Sequence, residues 1–205
     1  MLRLLLIRHG ESVADIEKRH EGRADFSLTE RGEQQVGKLA EYLSKHYNIT
    51  EIYCSPLKRA YSTALAIATK CDLQLIKENA LMEINNGHLA GLKYEDAERL
   101  YPLPKDGLEI YKNLPGGESS LDFKCRIEKF WHEFFEKNNG ENKTVCLVAH
   151  GGTVANLNRA ILHLPNDTDI KIITGDTGFH EWLFTDKHRK LLKANCQQHL
   201  TQELL

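Results

Sequence analysis

Leu4-Leu5-Leu6-Ile7-Arg8-His9-Gly10-Glu11-Ser12 joins an unbroken apolar run to an Arg-His pair and a glycine turn. A parallel strand covered on both faces reads as such a continuous run, and open α/β sheets place ligands beyond the carboxyl ends of their strands. Arg8 and His9 therefore stand at the ligand end of a first strand, which makes His9 a candidate nucleophile. Taken alone, an Arg and a His after a strand also fit a solvated turn.

Other segments repeat the arrangement. Residues 51–60, Glu-Ile-Tyr-Cys-Ser-Pro-Leu-Lys-Arg-Ala, read as a short strand ending at Ser55-Pro56, with Ser55 able to cap a helix and Pro56 suited to its first turn. Leu57, Ala60, Ala64 and Ala68 fall on one helical face, which puts Arg59 in the opening turn, at the positive end of the helix dipole where anions bind. Residues 144–149 form a second continuous apolar strand, followed by His150-Gly151-Gly152 and a helix with Val154, Leu157 and Ile161 inward. In Leu81-Met82-Glu83-Ile84-Asn85-Asn86-Gly87 a carboxylate sits among apolar residues, where partial desolvation favours its acid form. Separately, Arg59 also fits an exposed helix start, Glu83 a loop carboxylate and His150 a turn histidine.

Together these segments resemble the histidine phosphatase superfamily, also called phosphoglycerate-mutase-like. Its opening pattern is matched by Arg8 to Ser12 and then by Arg19, Gly22, Asp25, Leu28, Thr29 and Gly32. Its Ser-Pro-Leu-x-Arg-Ala segment is matched by residues 55–60, its Leu-x-Glu-x-x-x-Gly by residues 81–87, and its His-Gly-Gly by residues 150–152. Gly117, Glu118 and Ser119 match a further helix start. The resemblance implies a three-layer α/β/α sandwich with a mostly parallel sheet and one antiparallel strand. It also implies metal-independent hydrolysis of small phosphomonoesters, without a cofactor, through phosphohistidine on His9. Arg8, Arg59 and a protonated His150 would hold the phosphoryl oxygens, with Gly151 and position 15 also at the phosphate. Glu83 would protonate the leaving oxygen and then activate water.

The chain departs from the pattern at two places. Asp15 stands where the family usually has Asn, and an ionised carboxylate offers only acceptors to a bound anion, so Asp15 is expected to turn away, pair with Arg8 or Arg19, or take up a proton. Leu89, followed by Gly91-Leu92, is closer to the mutase branch, yet residues 93–117 hold only Lys93, Arg99, Lys105 and Lys112 as cations where mutases carry paired arginines. Hydrolysis fits better; mutase-type transfer and a non-catalytic phospho-ligand binder are the alternatives. His9, His20 and nearby acids could be read as a metallohydrolase site, but no Cys-x-x-Cys or His-Glu-x-x-His occurs, and Arg8 and Arg59 would be poor company for a cation.

With 205 residues, 41% hydrophobic, the chain can bury one full core and reads as a single domain over residues 1–205. A formal charge of −2, with both signs interspersed, gives no basic stripe for nucleic acid and no polybasic membrane anchor. Five cysteines, an odd number, suit reduced thiols in a cytoplasmic protein, with Cys54 and Cys146 in the core. Residues 1–7 lack the features of a signal peptide or membrane span and read as the first strand. Helices are expected over 30–47 and 119–137, and strands over 179–184 and 190–195, while His180 reads as structural. Residues 93–117 are expected to form an irregular cap over the site, because Pro and Gly crowd residues 101–117. A homodimer paired through a sheet edge or flanking helix is compatible with such a fold.

Overall fold

The structure, a computed structural model, describes residues 1–105, 107–165 and 168–205. Asp106 of the expected cap, Asn166 and Asp167 lie outside the described residues. In chain order the strands are β1 (Leu2–Arg8), β2 (Glu51–Cys54), β3 (Leu75–Lys77), β4 (Lys143–Ala149), β5 (Phe179–Phe184) and β6 (Arg189–Cys196). The helices are α1 (Val13–Glu17), α2 (Glu30–His46), α3 (Lys58–Cys71), α4 (Tyr94–Leu100), α5 (Ser120–Asn138) and α6 (Gly151–Leu162). Among the described residues the six strands form one sheet in the order β3-β2-β4-β1-β5-β6. β1 to β4 are mutually parallel, while β5 runs against both β1 and β6 and is the one reversed strand.

The apolar run of β1 is explained by cover on both faces. Leu2, Leu4 and Leu6 pack with Val145, Leu147 and Trp182 beneath Ile127, Phe130, Trp131 and Phe134 of α5 and Val154, Leu157 and Ile161 of α6. Leu5 and Ile7 face the other way, with Cys146, Val148 and Phe179, against Leu39, Ala40 and Leu43 of α2 and Ala64, Ile67 and Ala68 of α3. These are the three layers expected, with Cys54 and Cys146 fully buried. At the sheet edge β6 is mostly exposed and carries Arg189, Lys190 and Lys193, charges that discourage pairing with another edge.

Local signals fix the helix ends. Thr29 caps α2 by accepting from Gly32 N–H at 2.9 Å, and Ser119 and Asp122 form a reciprocal capping box at the start of α5. Ser55, expected to cap α3, does not: the helix starts at Lys58 with Leu57 as its N-cap residue and no side-chain cap. Ser55 lies too early in the chain; its hydroxyl accepts from Leu57 N–H at 3.3 Å and meets His150 Nε2 at 2.8 Å.

The expected irregular cap also contains order. Residues 94–100 form α4, helped by Glu95 and Asp96 in its first turn, an Arg99–Asp96 pair at 2.8 Å and the buried Ala97. The breakers act only from Pro102 onward. One end of the segment is tied to the chain after α1, through Tyr94 N–H to Lys18 O at 3.0 Å and His20 N–H to Leu92 O at 2.9 Å. The other end is tied to the Glu83 loop, through His88 N–H to Pro115 O and Glu118 N–H to Asn85 O, both at 2.8 Å.

Candidate active site

Register brings the chemistry to the carboxyl ends of the central strands. Arg8 is level with Ala149 across β1 and β4, and Cys54 of β2 is level with Val148. His9 N–H continues the ladder to Ala149 O, and Ser55 N–H to Val148 O, both at 3.0 Å. His9, Ser55 and His150 are thus the first residues past three adjacent parallel strands, the position where α/β sheets bind ligands.

His9 is 1% exposed. Its Nδ1 lies 2.7 Å from Gly10 O, so Nδ1 carries the hydrogen and donates to the carbonyl, leaving the lone pair on Nε2. Nε2 accepts from Arg59 Nε at 3.2 Å. Burial, reinforced by Arg59 and Arg8, holds His9 well below the usual histidine range and hence neutral. Arg59 has no exposed surface; its terminal nitrogens donate to Ala24 O and Gly22 O, each at 2.9 Å, so the guanidinium is fixed with Nε turned to His9. Gly22 adopts φ +48°, and a Cβ there would overlap the Asn86 amide at 1.8 Å from its Oδ1.

The rings of His150 and His9 meet edge to face, 5.2 Å between centroids. The expectation of a protonated His150 does not hold for the structure as it stands. Burial, then the charges of Arg59, Arg8 and Arg126, press its affinity for a proton well below the usual range. His150 Nδ1 and Arg8 Nε are buried polar atoms with no hydrogen-bond partner in the protein among the described residues. Arg8 donates to Thr174 O at 2.9 Å and pairs with Asp176 at 3.0 Å, and a Cβ on Gly151 would stand 3.8 Å from its Nε. His180, buried and held at about 4 by burial, touches Thr174 Oγ1 at 2.8 Å and so supports the loop that anchors Arg8.

The Glu83 carboxylate accepts from Gly152 N–H at 2.8 Å and from Ile84 N–H at 3.0 Å, so it lies on the α6 amino end rather than in wholly apolar surroundings. Arg126 holds this loop from behind, donating to Ala80 O, Met82 O and Glu83 O and pairing with Glu118 at 2.7 Å. Asp15 caps α1 by accepting from Ser12 N–H at 2.8 Å, and its other oxygen is 3.6 Å from Arg8. Of the two cations expected to neutralise Asp15, Arg8 is the partner; Arg19 pairs with Glu17 and donates to Gly91 O.

Contacts therefore link Arg8, His9, Arg59, Glu83, His150 and Gly151 at the carboxyl ends of the central strands, with Asp15 on Arg8. His20 is not among them: it packs on Tyr94, with 4.8 Å between ring centroids. Among the described residues no group of three or more His, Cys, Asp or Glu side chains is arranged to hold a metal ion.

A profile of the histidine phosphatase superfamily (branch 1) matches residues 4–197. The chain belongs to this superfamily. It is 37% identical over 153 residues to phosphoserine phosphatase 1 of Hydrogenobacter thermophilus, covering 73% of this chain and 71% of the relative. It is 34% identical over 165 residues to phosphoglycerate mutase-like protein 4 of Arabidopsis thaliana, covering 75% and 68%. The solved structure of a mycobacterial glucosyl-3-phosphoglycerate phosphatase in complex with VO3 superposes with a TM-score of 0.78 at 27% identity, over 94% of this chain and 98% of that one.

Several groups at the superfamily site escaped the sequence reading. Glu21 lies beside His9 and Arg59, Asp176 grips Arg8, and Arg126 secures the Glu83 loop. Glu21 stands between two matched positions, Arg19 and Gly22, and was the one signal available; Asp176 lies in a Gly-Asp-Thr-Gly turn that carries no periodic pattern.

Proposed function

We infer that this superfamily member is a phosphatase that hydrolyses small phosphomonoesters through phosphohistidine on His9, with no metal. The observation that carries this is a buried, neutral imidazole whose Nε2 lone pair faces the fixed Arg59, flanked by Arg8 Nε and His150 Nδ1, buried polar atoms that have no protein partner among the described residues. Two of the relatives named above act, by name, on phosphoserine and glucosyl-3-phosphoglycerate, which supports a small phosphorylated metabolite as substrate.

In the first step Nε2 forms a bond to phosphorus as the ester P–O bond breaks, and the leaving oxygen takes the Glu83 proton. Arg8 and Arg59 spread the charge of the equatorial oxygens over guanidinium nitrogens. With Ser55 donating to His150 Nε2, the Nδ1–H of His150 is the donor aimed at the anion. In the second step water attacks phosphorus, the N–P bond breaks, and the Glu83 carboxylate takes the water proton. Hydrolysis is favoured over mutase transfer because the few cations of residues 93–117 are partly spent, Arg99 on Asp96 and Lys112 on Glu109. The reading takes residues 1–205 as one domain in a reducing, cytoplasmic setting, with all five cysteines free.

The test is to incubate the protein with a chromogenic phosphomonoester, and with 3-phosphoglycerate with and without bisphosphoglycerate. Free phosphate is expected, with acid-labile phosphate trapped on the wild type and absent in His9→Ala. Isomerised 3-phosphoglycerate would assign a mutase, and turnover by His9→Ala would remove His9 as nucleophile.

A further inference from the structure

Glu21 occupies an unusual place for an anion-binding site. One carboxylate oxygen is 3.2 Å from Arg59 Nε and accepts from Ser12 Oγ–H; the other is 3.7 Å from His9 Nε2. For in-line attack, phosphorus must approach Nε2 to about 3–3.5 Å, which brings a phosphoryl oxygen against that second carboxylate oxygen. Two bare anionic oxygens cannot share this contact, whereas a carboxylic acid O–H would donate to the phosphoryl group.

Among the described residues the cations nearest Glu21 are already engaged by carboxylates. Arg8 already faces Asp15 and Asp176, and Arg59 faces Glu21. Apart from Glu83, whose acid form the first step uses, these described residues set three carboxylates against two guanidiniums before any dianion arrives. We propose that Glu21 is a phosphoryl-contacting residue that binds in its acid form, so that an oxyanion entering this site brings one proton with it to Glu21. The proposal rests on the phosphatase reading of the site. Burial already raises the proton affinity of Glu21 and Asp15 adds to the effect, while Arg59, Ser12 and Arg8 oppose it. The groups facing Glu21 are thus Arg8, His9, Ser12 and Asp15 from β1 and the start of α1, and Arg59 from α3, with His150 on the far side of His9.

In the free site Glu21 stands on Arg59 in place of substrate. On binding, it gains a proton, its O–H turns to the phosphoryl oxygen, and Arg59 Nε is released to the anion. Binding therefore weakens by about tenfold per pH unit for this one proton as pH rises above the point where Glu21 ionises in the free site, up to the point where it ionises in the complex.

Sulfate is the probe, because its charge stays constant over the range used. Calorimetry in buffers of different ionisation enthalpy, from about pH 6 to about pH 8, counts the protons taken up, and infrared difference spectra of the wild type report a carboxylic acid C=O band on sulfate addition. Glu21→Gln keeps a donor at the same place. The expected result is that this variant takes up about one proton fewer, loses the acid band, and binds sulfate at least about tenfold more tightly than wild type near pH 8. Uptake by His9, His150 or Glu83 would persist in the variant and is thereby separated. Sulfate binding with unchanged proton uptake and no acid band overturns the role of Glu21 and leaves the phosphatase reading standing. A wild type that binds no sulfate at any of these pH values overturns both.

Discussion

Gly152→Ala should separate catalysis from folding at a single atom. A Cβ at Gly152 would meet Glu83 Oε1 at 2.6 Å, against 3.4 Å for an ordinary contact, so the carboxylate must retreat by about 0.8 Å. The obstructing atom is the far end of a flexible side chain, so the fold gives way cheaply, and in the first turn of α6 alanine gains up to about 1 kcal/mol of helix propensity over glycine. Retreat also loosens the 2.8 Å bond from Gly152 N–H that aims the carboxylate. A misplacement of this size in a proton donor costs on the order of 100-fold, or about 2.7 kcal/mol of barrier. The loss should fall on substrates whose leaving oxygen needs a proton. We therefore expect kcat/KM for an alkyl phosphate to drop about 100-fold and that for p-nitrophenyl phosphate about tenfold or less, with Tm changed by no more than a few degrees, roughly what 1 kcal/mol produces. Equal losses on both substrates, or none on either, would refute Glu83 as the acid held by Gly152.

Asp15→Asn removes a partly exposed charge that competes for Arg8 at 3.6 Å, and KM for phosphomonoesters should fall several-fold, about 1 kcal/mol, at neutral pH; an unchanged or higher KM would show that Asp15 does not repel substrate. Chelators should leave turnover intact, whereas loss in EDTA restored by a divalent ion would reopen metal-assisted hydrolysis. Stability should fall in mild acid, since His180 and His199 are held at about 4 by burial against 6.5 for the unfolded chain. The unfolded state then takes up the extra protons as pH drops below the unfolded value, so the contribution is complete above it and shrinks by about 2 kcal/mol per histidine at about pH 5. Glu21 and Asp176, raised by burial, work in the opposite direction and reduce the net loss. Urea midpoints at about pH 7 and about pH 5 measure the balance, and an equal or higher midpoint in acid would refute it.

Much of the fold was legible because burial on both faces of a sheet leaves a simple trace. The runs at 4–7 and 144–149 admit no exposed side, and the amphipathic spacing of Val36, Leu39, Ala40 and Leu43 admits only one buried side. The ends of α2 and α5 were close to expectation because Thr29 and Ser119 cap them directly. Ser55 was misplaced as a cap because Ser-Pro is a good helix opening in isolation, and nothing local says that a histidine almost a hundred residues later will engage its hydroxyl. Breaker density over residues 93–117 points to an irregular segment, yet the breakers begin only at Pro102, and residues 94–100, which hold none, form α4.

The same distinction divides the site. His9, Arg59 and His150 come to the carboxyl ends of the central strands because each immediately follows a parallel strand or opens the helix after it, so the register of β1, β4 and β2 alone carries them there. Glu21 arrives by another route. Lys18 turns the chain through φ 52° and Gly22 through φ 48°, and Arg59 then fixes the returning loop by donating to Gly22 O and Ala24 O. Such a path depends on two left-handed residues and a buried guanidinium acting together, and it leaves no periodicity in the sequence. The carboxylate lies beside His9 because Arg59, the residue proposed to bind the anion, also holds the loop that carries Glu21. Loosening Arg59 would therefore disturb the proposed guanidinium contact to the anion and the Glu21 contact at once, while Glu21→Gln leaves the guanidinium in place and alters only the proton that accompanies binding.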